Sequence, residues 1–209
     1  MTSLRWTVLL PVKALPSAKS RLASTLPEDW RDLHPALVEA MRTDVLSAAR
    51  TAPQVAHVLV IADVPGEYDA DAVIVQRSAG LNGALRDGAA YAREHWPEDG
   101  VAALVGDLPA LTPTALEAAL DAAAAHPSSF VRDADGSGTT LLAARAGERL
   151  NPRFGEGSAA RHGAAAVEIS SAPAAVRRDV DTAADLAEAV RLGAGAATAR
   201  VWAVMPRSP

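Results

Sequence analysis

The residues best suited to chemistry begin with a basic loop near the start of the chain. This loop follows the apolar segment 6–12 and contains Lys13, Lys19 and Arg21. Lysine supplies a mobile point charge and arginine a planar fork that matches phosphate oxygens, so the loop suits binding of a triphosphate and neutralisation of a departing pyrophosphate. The chain has eighteen arginines but no other lysine, which makes the two neighbouring lysines more informative. The alternative is a pair of solvated loop lysines.

Carboxylates form the second group of candidate residues. Asp107 directly follows an apolar run, and Asp179 and Asp181 are separated by one residue, which places them on the same side of an extended segment. Together they offer hard oxygen ligands of the kind that Mg²⁺ accepts alongside phosphates and water. Asp107 can instead be a turn residue. Asp181 can instead cap the next helix, because Thr182 and Asp185 have the spacing of a capping box.

Glycines and hydroxyls form the third group. Thr139 follows a glycine-rich turn, and Ser158 follows Gly155 at the expected start of a helix. Glycine allows backbone N–H groups to approach an anion, so these segments can hold a second phosphate or a carboxylate. Asn82, next to Gly83, can read the edge of a base through its amide. The alternatives are ordinary turns and helix caps.

The elements that must position these residues alternate between strands and helices. Strands are predicted at 6–12, 57–61, 72–76 and 101–105, with helices at 28–49, 81–96 and 113–125. This alternation predicts a mostly parallel sheet with helices on both faces and a ligand crevice beyond the carboxyl ends of the strands. Segments 129–132 and 139–144 flank a DADGSG turn and predict a β-hairpin. A strand at 167–169 and a helix at 182–192 follow, and the end beyond Gly193 is expected to be loosely held.

Composition limits the possible classes of protein. The chain has 209 residues, which predicts one domain over 1–209, and its net charge of −5 argues against a nucleic-acid-binding face. Its apolar runs are too short to span a membrane, and the N-terminus lacks the features of a signal peptide, so we expect a cytoplasmic protein. The absence of cysteine excludes thiolate chemistry. The sequence also lacks the glycine patterns of dehydrogenases and P-loop kinases.

Taken in order, several segments resemble the guanylyltransferase family of coenzyme F-420 biosynthesis. The segments are VKALPSAKSRL, GLNGAL, GDLPAL, GSGTTLL, RFGEGSAARH and RDVDTAADL. GDLPAL is shared with other nucleotidyltransferases and indicates the superfamily. The RFGEGSAARH and RDVDTAADL segments are far more specific to the family.

This resemblance implies a Rossmann-like nucleotidyltransferase (GT-A-like) domain that transfers GMP from GTP and releases pyrophosphate. It implies Mg²⁺ bound by Asp107, Asp179 and Asp181, and it implies contacts of Thr139, Gly155 and Ser158 with phosphoenolpyruvate. We also expect the nucleotide to be bound by Lys13, Lys19, Arg21, Asn82 and Gly83. Catalysis is expected to depend on Asp107, Lys13, Lys19 and Arg21. A functional partner would be the next enzyme in the pathway, which accepts the unstable product.

Other functions remain open from the sequence. The acceptor can be 2-phospho-L-lactate or 3-phosphoglycerate, because the hairpin turn is where the chain departs most from the family. A different nucleotidyltransferase, such as a cytidylyl or molybdopterin-type enzyme, or a related glycosyltransferase would share the same crevice. A non-catalytic nucleotide-binding module would be expected to lack carboxylates, and all three are present.

Overall fold

One sheet organises the chain, and the computed structural model describes residues 4–13 and 19–205. The strands are β1 (Trp6–Val12), β2 (Val55–Ala62), β3 (Ala72–Val75), β4 (Gly100–Leu104), β5 (Ser128–Arg132), β6 (Thr139–Ala144) and β7 (Val167–Glu168). They form a seven-stranded sheet in the order β3-β2-β1-β4-β6-β5-β7.

The sheet is mixed, and its direction changes determine which chain segments meet. Strands β1 to β4 run parallel, whereas β6 runs antiparallel to both β4 and β5. When two neighbouring strands are antiparallel, one starts at the edge of the sheet where the other ends. Thr139, the first residue of β6, therefore lies at the same edge of the sheet as Asp107, which follows β4, and Lys13, which follows β1.

Helices cover both faces of the sheet, as the sequence predicts. They are α1 (Ser20–Thr25), α2 (His34–Thr51), α3 (Gly80–His95), α4 (Pro113–Ala123), α5 (Ser158–Gly163), α6 (Ala174–Arg177), α7 (Ala183–Gly193) and α8 (Ala196–Val204). In β1, Val8 and Leu10 belong to a buried cluster that includes residues of α2 and α4, whereas Leu9 belongs to a cluster that includes residues of α3. This alternation is the period of two expected for a strand buried on both faces.

The segment between β1 and β2 differs from the single helix predicted at 28–49. A 3-10 helix spans Glu28–Leu33, and α2 then runs from His34 to Thr51 with Pro35 in its first turn. Proline is favoured there because its missing N–H and fixed φ suit a helix start. The short helix α1 also occupies part of what the sequence indicated as loop. None of the helices among the described residues is both long enough and apolar enough to cross a membrane.

Residues 194–205 are well held, contrary to the expectation of a loose end beyond Gly193. The carboxylate of Asp44 in α2 accepts hydrogen bonds from the N–H groups of Ala197 and Thr198, at 2.9 and 2.8 Å. It thus caps the first turn of α8 from a distant part of the chain. Gly195 fits against this carboxylate, because a Cβ there would lie 2.4 Å from its atoms.

Candidate active site

Lys19 lies at the start of α1 and contacts two of the predicted carboxylates. Its ammonium forms ion pairs with Asp107 and, at 2.6 Å, with Oδ1 of Asp181. Burial disfavours the charged ammonium, yet attraction to Asp107 and Asp181 outweighs this and raises the pKa of Lys19 above its usual range. Its backbone is left-handed, with φ 56° and ψ 44°, a strained conformation for a residue with a side chain and one that clusters at functional sites.

Asp181 is an ionised carboxylate turned towards the basic loop. Arg21 donates from Nη1 to Oδ2 of Asp181 at 3.2 Å. Although burial opposes the change, the hydrogen bond and charge of Lys19 lower the pKa of Asp181. The capping box of α7 is formed by Thr182 and Asp185. Asp181 is therefore not the capping residue of α7, which was the alternative to a functional role.

Asp107, Asp179 and Asp181 form one acidic group. Each offers a carboxylate oxygen, and these oxygens lie within 4.8 Å of one another. The N–H of Val180 donates to the main-chain oxygen of Asp107 at 3.1 Å, which joins the two chain segments. Oδ1 of Asp107 is buried and has no hydrogen-bond partner within 4–13 and 19–205. An unsatisfied carboxylate oxygen beside two other acids is a donor set that fits a hard divalent cation.

Asp179 has an unusual protonation equilibrium. Burial, followed by the charge of Asp107, raises the pKa of Asp179 to about 7. The charges of Asp133 and Asp181 add to this increase, and Lys19 opposes it. Since Asp133 begins the hairpin turn, the turn lies close enough to influence the acidic group. The raised pKa of Asp179 thus reflects the burial of three carboxylates close together.

A cleft of about 310 Å³ opens beside the acidic group. Lys13, Lys19 and Asp107 line it together with apolar side chains of α2, α3 and the strand ends. An apolar wall beside two lysines suits a base and sugar with an attached phosphate chain. A larger, arginine-lined depression of about 890 Å³ contains none of the three carboxylates, so we assign the chemistry to the smaller cleft.

The glycine and hydroxyl residues surround the start of β6. The N–H of Ser158 donates to the oxygen of Gly155 at 3.0 Å, which closes the turn before α5. Gly155 and Gly157 have φ values of 120° and 66°, so both need the freedom of glycine. Thr139 and Ser158 are buried. Their hydroxyls are groups of the kind that donate hydrogen bonds to a bound anion.

Comparison with known proteins places this chain in a family. The family model described as "Guanylyl transferase CofC like" matches residues 6–202. The chain belongs to this family. Curated phosphoenolpyruvate guanylyltransferases from Salinispora arenicola and Streptomyces coelicolor are 49% and 45% identical to it. These matches cover 93% and 96% of this chain, and 92% and 97% of the relatives.

Solved structures support the nucleotidyltransferase fold of this CofC-like chain. A 4-diphosphocytidyl-2C-methyl-D-erythritol synthase has a TM-score of 0.56 and 17% identity, with 90% of this chain and 98% of that chain covered. The manganese complex of Rv0371c from Mycobacterium tuberculosis H37Rv has a TM-score of 0.53 and 23% identity, with 91% and 100% covered. The chain is a nucleotidyltransferase, and its acidic group can hold a divalent metal ion.

The structure brings most of the predicted site residues of this guanylyl transferase to one edge of the sheet. Lys19, Arg21, Asp107, Asp179 and Asp181 form a connected cluster. Lys13 is exposed beside them and lines the cleft, while residues 14–18 of the basic loop lie outside the described residues.

Asn82 and Gly83 have contacts that the sequence did not predict. Nδ2 of Asn82 donates to the oxygen of Phe154 at 3.0 Å, and its Oδ1 accepts from the N–H of Phe154 at 2.7 Å. Gly83 packs against Ser78, where a Cβ would come within 2.9 Å of backbone atoms. In this structure both residues fix the protein's own geometry. Their contact with a guanine base stays a prediction.

Two further polar residues lie at this edge, and the sequence offered little indication of either. Arg42 is almost wholly buried in α2, lines the cleft and donates from Nη2 to the main-chain oxygen of Lys13 at 3.0 Å. His162, which the sequence linked only weakly to the second anion site, is buried and hydrogen-bonded to Thr139. An arginine at an apolar helical position of α2 was the available signal for the first residue. The available signal for His162 was the RH pair in the RFGEGSAARH segment.

The raised pKa of Asp179 predicts a stabilising variant. Without metal, Asp179 lowers the free energy of unfolding as the pH rises from its ordinary pKa of 3.8 towards 7. In this range Asp179 ionises in the unfolded chain but stays largely protonated in the folded one. Asp179→Asn should therefore increase the free energy of unfolding in EDTA by about 1–2 kcal/mol above pH 7, with a smaller gain at lower pH. Urea unfolding at pH 5 and pH 8 measures this. A gain independent of pH would contradict the explanation.

Proposed function

We propose that this chain transfers GMP from GTP to phosphoenolpyruvate and releases pyrophosphate, as a step of coenzyme F-420 biosynthesis. The observation that carries the proposal is the meeting of Lys19 with Asp107 and Asp181 at the sheet edge where β6 also begins. The names of its curated relatives support the acceptor. The alternative acceptors are 2-phospho-L-lactate and 3-phosphoglycerate.

The nucleotide occupies the 310 Å³ cleft in this proposal. The apolar wall from α2 and α3 accommodates the base and ribose, and the triphosphate extends towards Lys13 and Lys19. Arg21, which already contacts Asp181, adds a third cation at the mouth. These cations are the groups that neutralise the pyrophosphate as it leaves.

Mg²⁺ is the metal that we propose for the acidic group. The unpartnered Oδ1 of Asp107 and the neighbouring oxygens of Asp179 and Asp181 are hard ligands of the type it prefers. When bound, Mg²⁺ would supply positive charge that polarises the reacting phosphate and offsets the repulsion among the carboxylates. The protein's contribution is to hold these carboxylates together, through the Val180 hydrogen bond and the Lys19 ion pairs.

The acceptor occupies the side formed by Thr139, Gly155 and Ser158. The hydroxyls of Thr139 and Ser158 suit an anionic group, and the turn around Gly155 allows a close approach of the backbone. A phosphomonoester loses its second proton with a pKa of about 6, so its attacking oxygen is already anionic at neutral pH. The reaction therefore needs no general base, and catalysis rests on alignment for in-line attack and on charge stabilisation.

GTP with each of the three acids, in the presence of Mg²⁺, provides the test of the acceptor. We expect pyrophosphate release to be fastest with phosphoenolpyruvate and to fall by at least about tenfold with the other two acids, because each changes groups that the acceptor side contacts. Faster release with 2-phospho-L-lactate or 3-phosphoglycerate would reassign the acceptor. Release with none of them would reject the proposed acceptors altogether.

We also propose a place for the reaction in the cell. GTP and phosphorylated acids are cytoplasmic metabolites, and the product joins GMP to the acid through a reactive diphosphate. An enzyme that consumes this product directly would be the functional partner of this chain.

A further inference from the structure

His162 connects two separate parts of the acceptor side through its ring nitrogens. The side chain is buried in α5, with 2% of its surface exposed. Its Nε2 accepts a hydrogen bond from the main-chain N–H of Arg153 at 2.9 Å, and its Nδ1 lies 2.9 Å from Oγ1 of Thr139. One side chain thus joins the start of β6 to the turn that contains Gly155.

The hydrogen-bond partners determine which nitrogen of His162 carries the proton. A main-chain N–H can only donate, so Nε2 is unprotonated and the proton of the neutral ring lies on Nδ1. Burial, followed by the charges of Arg161 and Arg153, lowers the pKa of His162 to about 4, so the ring is neutral at physiological pH.

This tautomer fixes the direction of the hydroxyl of Thr139. Because Nδ1–H donates to Oγ1, the hydroxyl's own proton is left to donate elsewhere. No other hydrogen bond of this hydroxyl is present among the described residues. The acceptor side therefore has an oriented donor at Thr139, which suits an anionic ligand.

Asn82 holds the next residue of the same turn from the opposite direction. It lies in the first turn of α3, on the nucleotide side, and both atoms of its amide bind the main chain of Phe154. Arg153 and Phe154 are thus each fixed by a side chain from another element, directly before Gly155. The ring of Phe154 also packs edge-on against His162, with 5.1 Å between ring centroids.

We propose that His162 and Asn82 are positioning residues that hold Thr139 and the turn from Arg153 to Ser158 in the shape needed to bind the acceptor acid. This rests on the proposed function, because it assumes that this side binds the acid. Neither side chain touches the reacting atoms. Asn82 also links the acceptor turn to the helix that lines the nucleotide cleft.

Three substitutions of His162 separate its two hydrogen bonds. His162→Asn keeps a donor near Thr139, His162→Gln keeps an acceptor near the N–H of Arg153, and His162→Ala keeps neither. We expect His162→Ala to raise the KM for the acceptor acid by at least about tenfold, with the KM for GTP changed less than about twofold. The two amide variants should fall between this variant and the original chain. Asn82→Ala should also raise the KM for the acceptor acid by at least about tenfold.

His57→Gln is the matched control. His57 likewise forms a hydrogen bond through its ring, to the carboxylate of Asp99 at 2.8 Å, but it lies in β2, away from the acceptor turn. We expect this control to leave both KM values unchanged, whatever its effect on the melting temperature. Equal increases of both KM values in His162→Ala, or no increase, would overturn the positioning role.

A second measurement does not depend on turnover. Amide hydrogen exchange of Arg153 and Phe154 should be about tenfold or more faster in His162→Ala and Asn82→Ala, respectively, because each variant removes the acceptor of that N–H. If the original chain uses none of the acids, the proposed function fails and the exchange result still tests the two hydrogen bonds. Unchanged exchange in both variants would overturn the proposal even if the enzyme is active.

Discussion

Asp107→Asn is expected to reduce kcat by on the order of 10³-fold at saturating Mg²⁺ and substrates. Asparagine preserves the shape of the side chain but removes one negative charge from the acidic group and replaces one carboxylate oxygen by an N–H₂ donor. The buried Oδ1, which has no partner among the described residues, would no longer be a metal ligand of equal strength. The measurement is pyrophosphate release over a range of Mg²⁺ concentrations.

Asp121→Asn is the matched control for this variant. Asp121 is an exposed carboxylate in α4 that contacts Gln54, away from the acidic group. The Asp121→Asn variant should keep kcat within about twofold of the original value, because surface substitutions away from the active site have small effects. Asp107→Asn should keep the circular dichroism of the original chain, so that loss of activity is not loss of fold. Near-normal kcat in Asp107→Asn would contradict the role of the carboxylates.

Lys19→Met is expected to have the second large effect, and it should act on stability and activity together. Removal of the ammonium leaves Asp107 and Asp181 without their shared cation. We expect the free energy of unfolding in EDTA at pH 8 to fall by about 1–3 kcal/mol. We also expect kcat/KM for GTP to fall by on the order of 10²-fold, because a cation beside the leaving pyrophosphate is lost. Urea unfolding and initial rates measure the two effects.

Lys13→Met distinguishes these two effects. Lys13 lines the same cleft, but its side chain is exposed and forms no ion pair within 4–13 and 19–205. This variant should weaken use of GTP while leaving the free energy of unfolding within about 0.5 kcal/mol of the original value. If Lys19→Met were as stable as Lys13→Met, the ion pairs of Lys19 would not hold the acidic group together.

The fold and the acidic group were largely predictable because their signals are local. Asp107 follows an apolar run, and Asp179 and Asp181 are separated by one residue, so the sequence indicated these three carboxylates as a possible set of metal ligands. The hairpin that begins β6 was signalled by its glycine-rich turn. The left-handed backbone of Lys19 and the break at Pro35 had weaker local signals, and the helix prediction at 28–49 merged two elements there.

The contacts that fix the acceptor turn could not be read from the sequence because they join distant segments. Asn82 and Phe154 are 72 residues apart, and Thr139 and His162 are 23 apart. An asparagine at a helix start and a histidine in a short helix have common local explanations. Only the folded structure, with its hydrogen bonds between these segments, shows that these residues meet. The same reason applies to Asp44, whose cap on α8 spans 153 residues.

The fate of the α-phosphate tests the central claim most directly. With GTP labelled at the α-phosphate, the account predicts that the label moves into a product that also contains the acceptor acid, while the β- and γ-phosphates leave together as pyrophosphate. It also predicts that CTP, ATP and UTP are used at least about 10²-fold less efficiently, because the site's polar groups would be mispaired with the wrong base. Release of inorganic phosphate in place of pyrophosphate, or preference for another nucleotide, would contradict guanylyl transfer by this chain.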